Sequence, residues 1–125
     1  MQESTSDWSV NTDCTSPGQF EKFYNKHPRE YEALFRNLNK IMGLLKSGQK
    51  IGGFHVGFFR SEGDGVYRIG QTGVEAAAES RLYVYPDSKS AVMHVLGVGE
   101  KDDQPRDVND AKEIAGKIKK STEKA

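Results

Sequence analysis

The stretch SRLYVYPDSKSAVMHVLGVGEKDD, residues 80–103, decides the fold. In Arg81-Leu82-Tyr83-Val84-Tyr85 the side chains alternate in character, and a strand sends alternate side chains to opposite faces. Leu82 and Val84 therefore share one face, and Arg81, Tyr83 and Tyr85 share the other. Pro86-Asp87 is turn chemistry. Residues 91–98 are an apolar run that suits a central strand covered on both sides. Two strands joined by so short a turn form an antiparallel pair.

Outward from this pair, Val66-Tyr67-Arg68-Ile69 reads as a strand that puts Tyr67 and Ile69 on one face and Val66 and Arg68 on the other. Gly63-Asp64-Gly65 is a turn signal before it. Phe54-His55-Val56 and Phe58-Phe59 read as extended. Residues 72–79 read as a small-residue loop with room for one helical turn at 75–78. On the C-terminal side, Val108, Ala111, Ile114, Ala115 and Ile118 form the apolar face of a helix over residues 107–120.

Toward the N-terminus, Tyr31, Leu34, Leu38, Ile41, Met42, Leu44 and Leu45 form a helical stripe, and Gly48 stops it. Ser16-Pro17 reads as an N-cap followed by proline at the first helical position, and Phe20, Phe23 and Tyr24 give that helix an aromatic face. Pro28 separates the two helices near His27, because proline disfavours helical geometry in the preceding residue. Trp8, Val10 and Thr12 alternate with Asp7, Ser9 and Asn11 as a short first strand does. The expected architecture is a single α+β domain over residues 7–120: a strand, a helical hairpin, an antiparallel sheet and a C-terminal helix. Residues 1–6 are expected to be flexible and 121–125 to fray.

A chain of 125 residues is the size of one domain. It carries 18 basic and 18 acidic residues, so no global charge drives it onto nucleic acid. The charge is unevenly spread. Residues 1–20 hold Glu3, Asp7 and Asp13 and no cation, whereas residues 21–61 hold eight Lys and Arg against three Glu. That middle section is either a solvated helix surface or a basic face. Cys14 is the single cysteine, so no internal disulfide exists, and no basic neighbour marks it as reactive. No run approaches the roughly 18 apolar residues of a membrane span. The first residues lack a signal-peptide pattern, so a cytoplasmic protein with no membrane partner is expected.

The three histidines, His27, His55 and His94, lack ligand spacing, so no metal is expected. Neither Gly63-Asp64-Gly65 nor Gly97-Val98-Gly99 continues into a phosphate loop. The sheet faces say more. With Leu82 and Val84 packed on the helices, Arg81 and Arg68 are expected on an uncovered face with Tyr83 and Tyr85. Lys101 and Arg106 lie just past the apolar strand. Cations hold phosphate and tyrosines stack on unpaired bases, so this face suits RNA. A half-solvated sheet with surface salt bridges is the other reading.

These residues carry a resemblance. VYRIG (66–70), SRLYVYPDSKSAVMHVLGVGEKDD (80–103) and the helix after them resemble the RelE/ParE toxin superfamily, its RelE and HigB branches most. The resemblance spans about residues 7–120 and implies the order strand, helix, helix, three strands. It implies the toxin of a type II toxin–antitoxin pair, a ribosome-dependent messenger-RNA endonuclease with no cofactor. Its implied partners are a cognate antitoxin, the ribosome and messenger RNA. In such a toxin the RNA's own 2′-hydroxyl attacks the adjacent phosphate. Arg81 and Lys101 match cations that stabilise the phosphorane, and Arg68 matches one that positions RNA. His94 is the candidate base, and Tyr83, Tyr85 and Arg106 are candidate RNA contacts. Gly70 stands where the family carries a second basic residue, and no tyrosine follows Tyr85. A ParE-like gyrase-binding toxin and a non-catalytic interaction domain on the same fold stay open as alternatives.

Overall fold

A computed structural model describes residues 7–54, 56–74 and 78–124. Its elements are β1 (Ser9–Asn11), α1 (Pro17–Lys26), α2 (Pro28–Lys46), β2 (Phe59–Gly63), β3 (Val66–Gly70), β4 (Ser80–Asp87), β5 (Val92–Glu100) and α3 (Gln104–Lys124). Short 3₁₀ turns at Ile51–Gly53 and Lys101–Asp103 precede β2 and α3. The five strands lie in the order β1-β5-β4-β3-β2. The protein is a mixed α+β domain. No helix among the described residues is long and apolar enough to cross a membrane.

The helical hairpin forms as its prolines dictate. Pro17 and Pro28 each open a helix, and His27 alone separates them. Its two arms touch through nested aromatic pairs, Phe20–Phe35 and Tyr24–Tyr31, with ring centroids 6.5 and 5.1 Å apart. The inner stripe of α2, including Leu34, Leu38, Ile41 and Leu45, packs with Phe23 on one sheet face. That face presents Ile69, Leu82, Val84, Met93, Val95 and Val98. Burying an aliphatic side chain of this size contributes about 1.5–3 kcal/mol.

Four findings depart from the expectations. First, β2, β3, β4 and β5 all follow the helices, one strand more than the resemblance implies. Second, the sheet is not wholly antiparallel, because β1 pairs parallel to β5. Third, the final helix begins at Gln104 and runs through Lys124, beyond both expected ends and into the segment expected to fray. Fourth, and most important, the second sheet face is not open. The apolar side of α3 covers it: Ala111 and Ala115 close over Val66, Tyr83 and Leu96. The face assignments along β3 and β4 hold, but the side opposite the hairpin is a second, smaller core. The extended reading of Phe54-His55-Val56 and the helical turn at 75–78 fall partly or largely outside the described residues.

A β-bulge makes that second core possible. Tyr83 pairs with Gly97 and Val84 with Val95, which leaves Leu96 as the extra residue. The bulge turns Leu96 toward α3 while Val95 and Val98 stay in the hairpin core. The N-terminal turn of α3 then sits against Gly99. A Cβ there would collide with Asp107 Oδ2. Gly99→Ala is therefore expected to cost about 1–3 kcal/mol by overpacking. Urea unfolding reads it as a lower midpoint at unchanged slope.

Candidate functional site

α3 covers the second face only in part. Past its N-terminus, a cleft of about 340 Å³ lies among Phe58, Arg60, Arg68, Gly70, Gln71 and Arg81. Strand register places its three arginines. Arg60 pairs directly with Arg68, and Arg68 with Tyr83, so all three strands send these side chains to the α3 side. Arg81 follows two residues before Tyr83, on the same face, opposite Gly70. The far lip is fixed from the hairpin. Asn37, fully buried in α2, donates from Nδ2 to Gly70 O at 2.7 Å and to Thr72 Oγ1 at 3.2 Å.

Counter-charges are few. Arg68 Nη1 donates to Glu62 Oε2 at 2.9 Å, and Gln104 Nε2 donates to the same oxygen at 2.9 Å. Glu79 faces two cations: Lys101 Nζ at 3.2 Å and Arg81 Nη2 at 3.7 Å. Arg60 has no carboxylate partner among the described residues; its Nε donates to Gly57 O at 3.3 Å. The cleft and its edge thus hold four cations, Arg60, Arg68, Arg81 and Lys101, against two carboxylates. Like charges placed directly opposite on neighbouring strands cost stability. Arg81 Nε and Gln71 Oε1 are also buried without a hydrogen-bond partner. Such groups raise the free energy of the empty cleft until a ligand pairs them. The hydrogen bond and charge of Lys101 hold the Glu79 carboxyl below the usual carboxylate range.

The residues expected from sequence to act together do not all meet. Arg68, Arg81 and Lys101 come together at this end of the sheet. His94 does not. It pairs with Tyr85 while Arg81 pairs with Gly99, four residues away along β4. At about 3.3 Å per residue that is roughly 13 Å, so His94 cannot reach a phosphate held by Arg81. Burial pushes the His94 imidazole below its ordinary pKa, and Tyr85 stacks on it with ring centroids 5.7 Å apart. The tyrosines do not form a platform either. Tyr83 is fully buried beneath α3, and burial raises its phenol pKa. Tyr85 has His94 on its ring and the Lys119 ammonium 5.5 Å from its centroid. Arg106 is exposed but lies beside Asp103 and Asp107, around the start of α3.

Phe58, Arg60, Gln71 and Glu79 are not singled out by the sequence. Only a strand that runs over residues 59–63 puts Arg60 opposite Arg68.

A second titratable group stands apart from the cleft. Asp107 is only 8% exposed, and its Oδ2 has no hydrogen-bond partner. Burial lifts its pKa to about 6, against a partial opposing pull from Arg106. No group of His, Cys, Asp and Glu among the described residues is arranged to hold a metal ion. Searched against known proteins, the chain matches no family model, no curated protein and no solved structure.

Proposed function

We propose that this chain is a RelE-like toxin of a toxin–antitoxin pair that cuts messenger RNA on the ribosome. The observation that carries the reading is the arginine cleft. Arg60, Arg68 and Arg81 converge from three strands on one opening, with Lys101 at its edge and only Glu62 and Glu79 to offset them. This arrangement costs stability when empty and fits a phosphodiester when filled. Arginine forks suit phosphate oxygens, and charge-assisted bonds of this kind are the strong ones.

The chemistry needs little beyond this cleft. The 2′-oxygen of the RNA attacks the neighbouring phosphorus, and the P–O5′ bond breaks. The products are a 2′,3′-cyclic phosphate and a 5′-hydroxyl. Arg68 and Arg81 stabilise the charge that accumulates on the phosphorane oxygens. Glu79, ionised beside Lys101, accepts the 2′ proton, Lys101 adds to the charge stabilisation, and water protonates the departing 5′-oxygen. The partners of such a protein are its antitoxin, the ribosome and the message.

This assignment separates two roles for Glu79. If Glu79 is the proton acceptor, Glu79→Gln tightens RNA binding roughly two- to fivefold at low salt, by removing an exposed counter-charge, yet lowers cleavage. If Glu79 only offsets charge, binding and cleavage rise together. Fluorescence anisotropy and single-turnover cleavage distinguish the two.

The reading as a whole is tested by controlled expression with mapping of 5′ ends on a reporter message. An untranslated copy of the same message is the control. Cuts confined to the translated copy support it. Normal growth with both messages intact opposes it and leaves a binding domain. A second reading draws on the helical hairpin, where Phe20, Tyr24, Tyr31 and Phe35 form a partly exposed aromatic ladder. Such a surface suits a protein partner.

A further inference from the structure

The arginines account for phosphate but leave two features of the cleft unused: the Phe58 ring and the Gln71 amide. Phe58 is half-buried, packs on the hairpin core and lines the cleft. Its neighbours on this side of the molecule are matched in ring pairs. Phe54 lies against Phe59, and Phe59 stacks on Tyr67 with ring centroids 4.6 Å apart. Among the described residues, Phe58 has no aromatic partner. Its position is fixed, because Gly70 N donates to Phe58 O at 2.8 Å. That bond also sets Gln71 one residue beyond Phe58's partner, on the same cleft wall. Gln71 Oε1 is buried and has no donor. A free aromatic ring beside three guanidinium groups and an unpaired amide is the composition of a nucleotide site rather than of a bare phosphate site.

We propose that the cleft holds one unpaired RNA base stacked on Phe58, with Gln71 at the base's hydrogen-bonding edge. The inference rests on the RNA reading above and adds a base-contacting subsite to it. Stacking on an aromatic ring tolerates any base. The Gln71 oxygen adds a preference, because it accepts a hydrogen bond from the exocyclic amine of cytosine, adenine or guanine. Uracil has no such amine. The tyrosines cannot take this role, since Tyr83 is buried and Tyr85 is stacked on His94.

The test measures binding of five-nucleotide RNAs by fluorescence anisotropy at low salt. The probes are oligoadenylate, oligocytidylate, oligouridylate and an abasic oligomer with the same phosphates. The wild-type protein should bind oligoadenylate at least about fivefold more tightly than the abasic oligomer. Phe58→Leu keeps apolar bulk against the core but removes the π-face. It should erase that difference. Arg81→Ala should weaken both. Gln71→Leu should erase a preference for cytidine over uridine, two bases of equal ring size. Equal wild-type affinity for oligoadenylate and the abasic oligomer overturns the base subsite and leaves phosphate binding standing. An undiminished preference in Phe58→Leu overturns the role of the ring. A cytidine preference that survives in Gln71→Leu overturns the role of the amide. No binding of any oligomer overturns this inference, while the RNA reading stands or falls on the mapping of 5′ ends on the translated message.

Discussion

Arg81→Ala is expected to lower cleavage of a translated message by about 10²- to 10³-fold, the usual loss when one preorganised donor to a transition-state oxyanion is removed. Arg81 is suited to produce so large an effect. Its side chain is 15% exposed, its Nη1 is held by Ser80 O at 3.1 Å, and its Nε is left without a partner. A guanidinium fixed in this way needs little reorganisation when charge develops on the phosphorane. The fold loses little with it, because Arg81 belongs to neither apolar core. Single-turnover cleavage measured beside thermal unfolding separates the two effects. A fall in rate at nearly constant Tm is the expected pair of results. A matched fall in both would reassign Arg81 to structure.

The second large effect concerns pH and α3. Asp107 has a folded-state pKa of about 6, above its ordinary 3.8, because it is buried. A folded pKa raised above the unfolded one means that the folded state binds the proton more tightly. The associated stability is fully present below about pH 3.8 and is lost as pH rises through about 6. A difference of about two pKa units corresponds to roughly 3 kcal/mol at most. Asp107→Asn removes the titration. The variant should match the wild type near pH 4 and exceed it by up to roughly 3 kcal/mol at pH 8. Glu79 and Glu100, whose pKa values are lowered, act in the opposite direction but equally in both proteins. Urea unfolding at pH 4, 6 and 8 checks the difference. Parallel pH profiles would show that the Asp107 carboxylate is solvated.

The sequence makes some of this legible for physical reasons. Alternation is a strong signal where one face is buried, so Leu82 and Val84 were assigned to the hairpin side and Arg68 and Arg81 to the other. The two prolines fixed both helix starts. The cover over the second face was not readable. The periodicity of α3 shows that Val108, Ala111, Ile114, Ala115 and Ile118 bury a face, but nothing in the helix says which surface receives it. Only Tyr83, Val66 and Leu96 together reveal an apolar target, and Leu96 joins them through a bulge that strict alternation hides. The parallel pairing of β1 was equally hidden, because three residues carry no register. The cleft was half legible. Arg68 and Arg81 stand out by alternation, and Lys101 as a cation just past the apolar strand. Arg60 escapes because the strand over residues 59–63, ending in polar residues and glycine, is not legible beyond Phe59. Phe58 and Gln71 gain meaning only from what the fold leaves unpaired around them.

In the proposed function the arginine cleft acts on a message held by the ribosome. The most direct test supplies purified ribosomes, a defined message and the purified protein, with and without Arg68→Ala and Arg81→Ala. Cuts within the ribosome-bound codons that leave a 2′,3′-cyclic phosphate and a 5′-hydroxyl are expected. Those cuts should be absent when ribosomes are withheld and lost in the double variant. A message that stays intact on the ribosome with folded wild-type protein in excess would contradict that function.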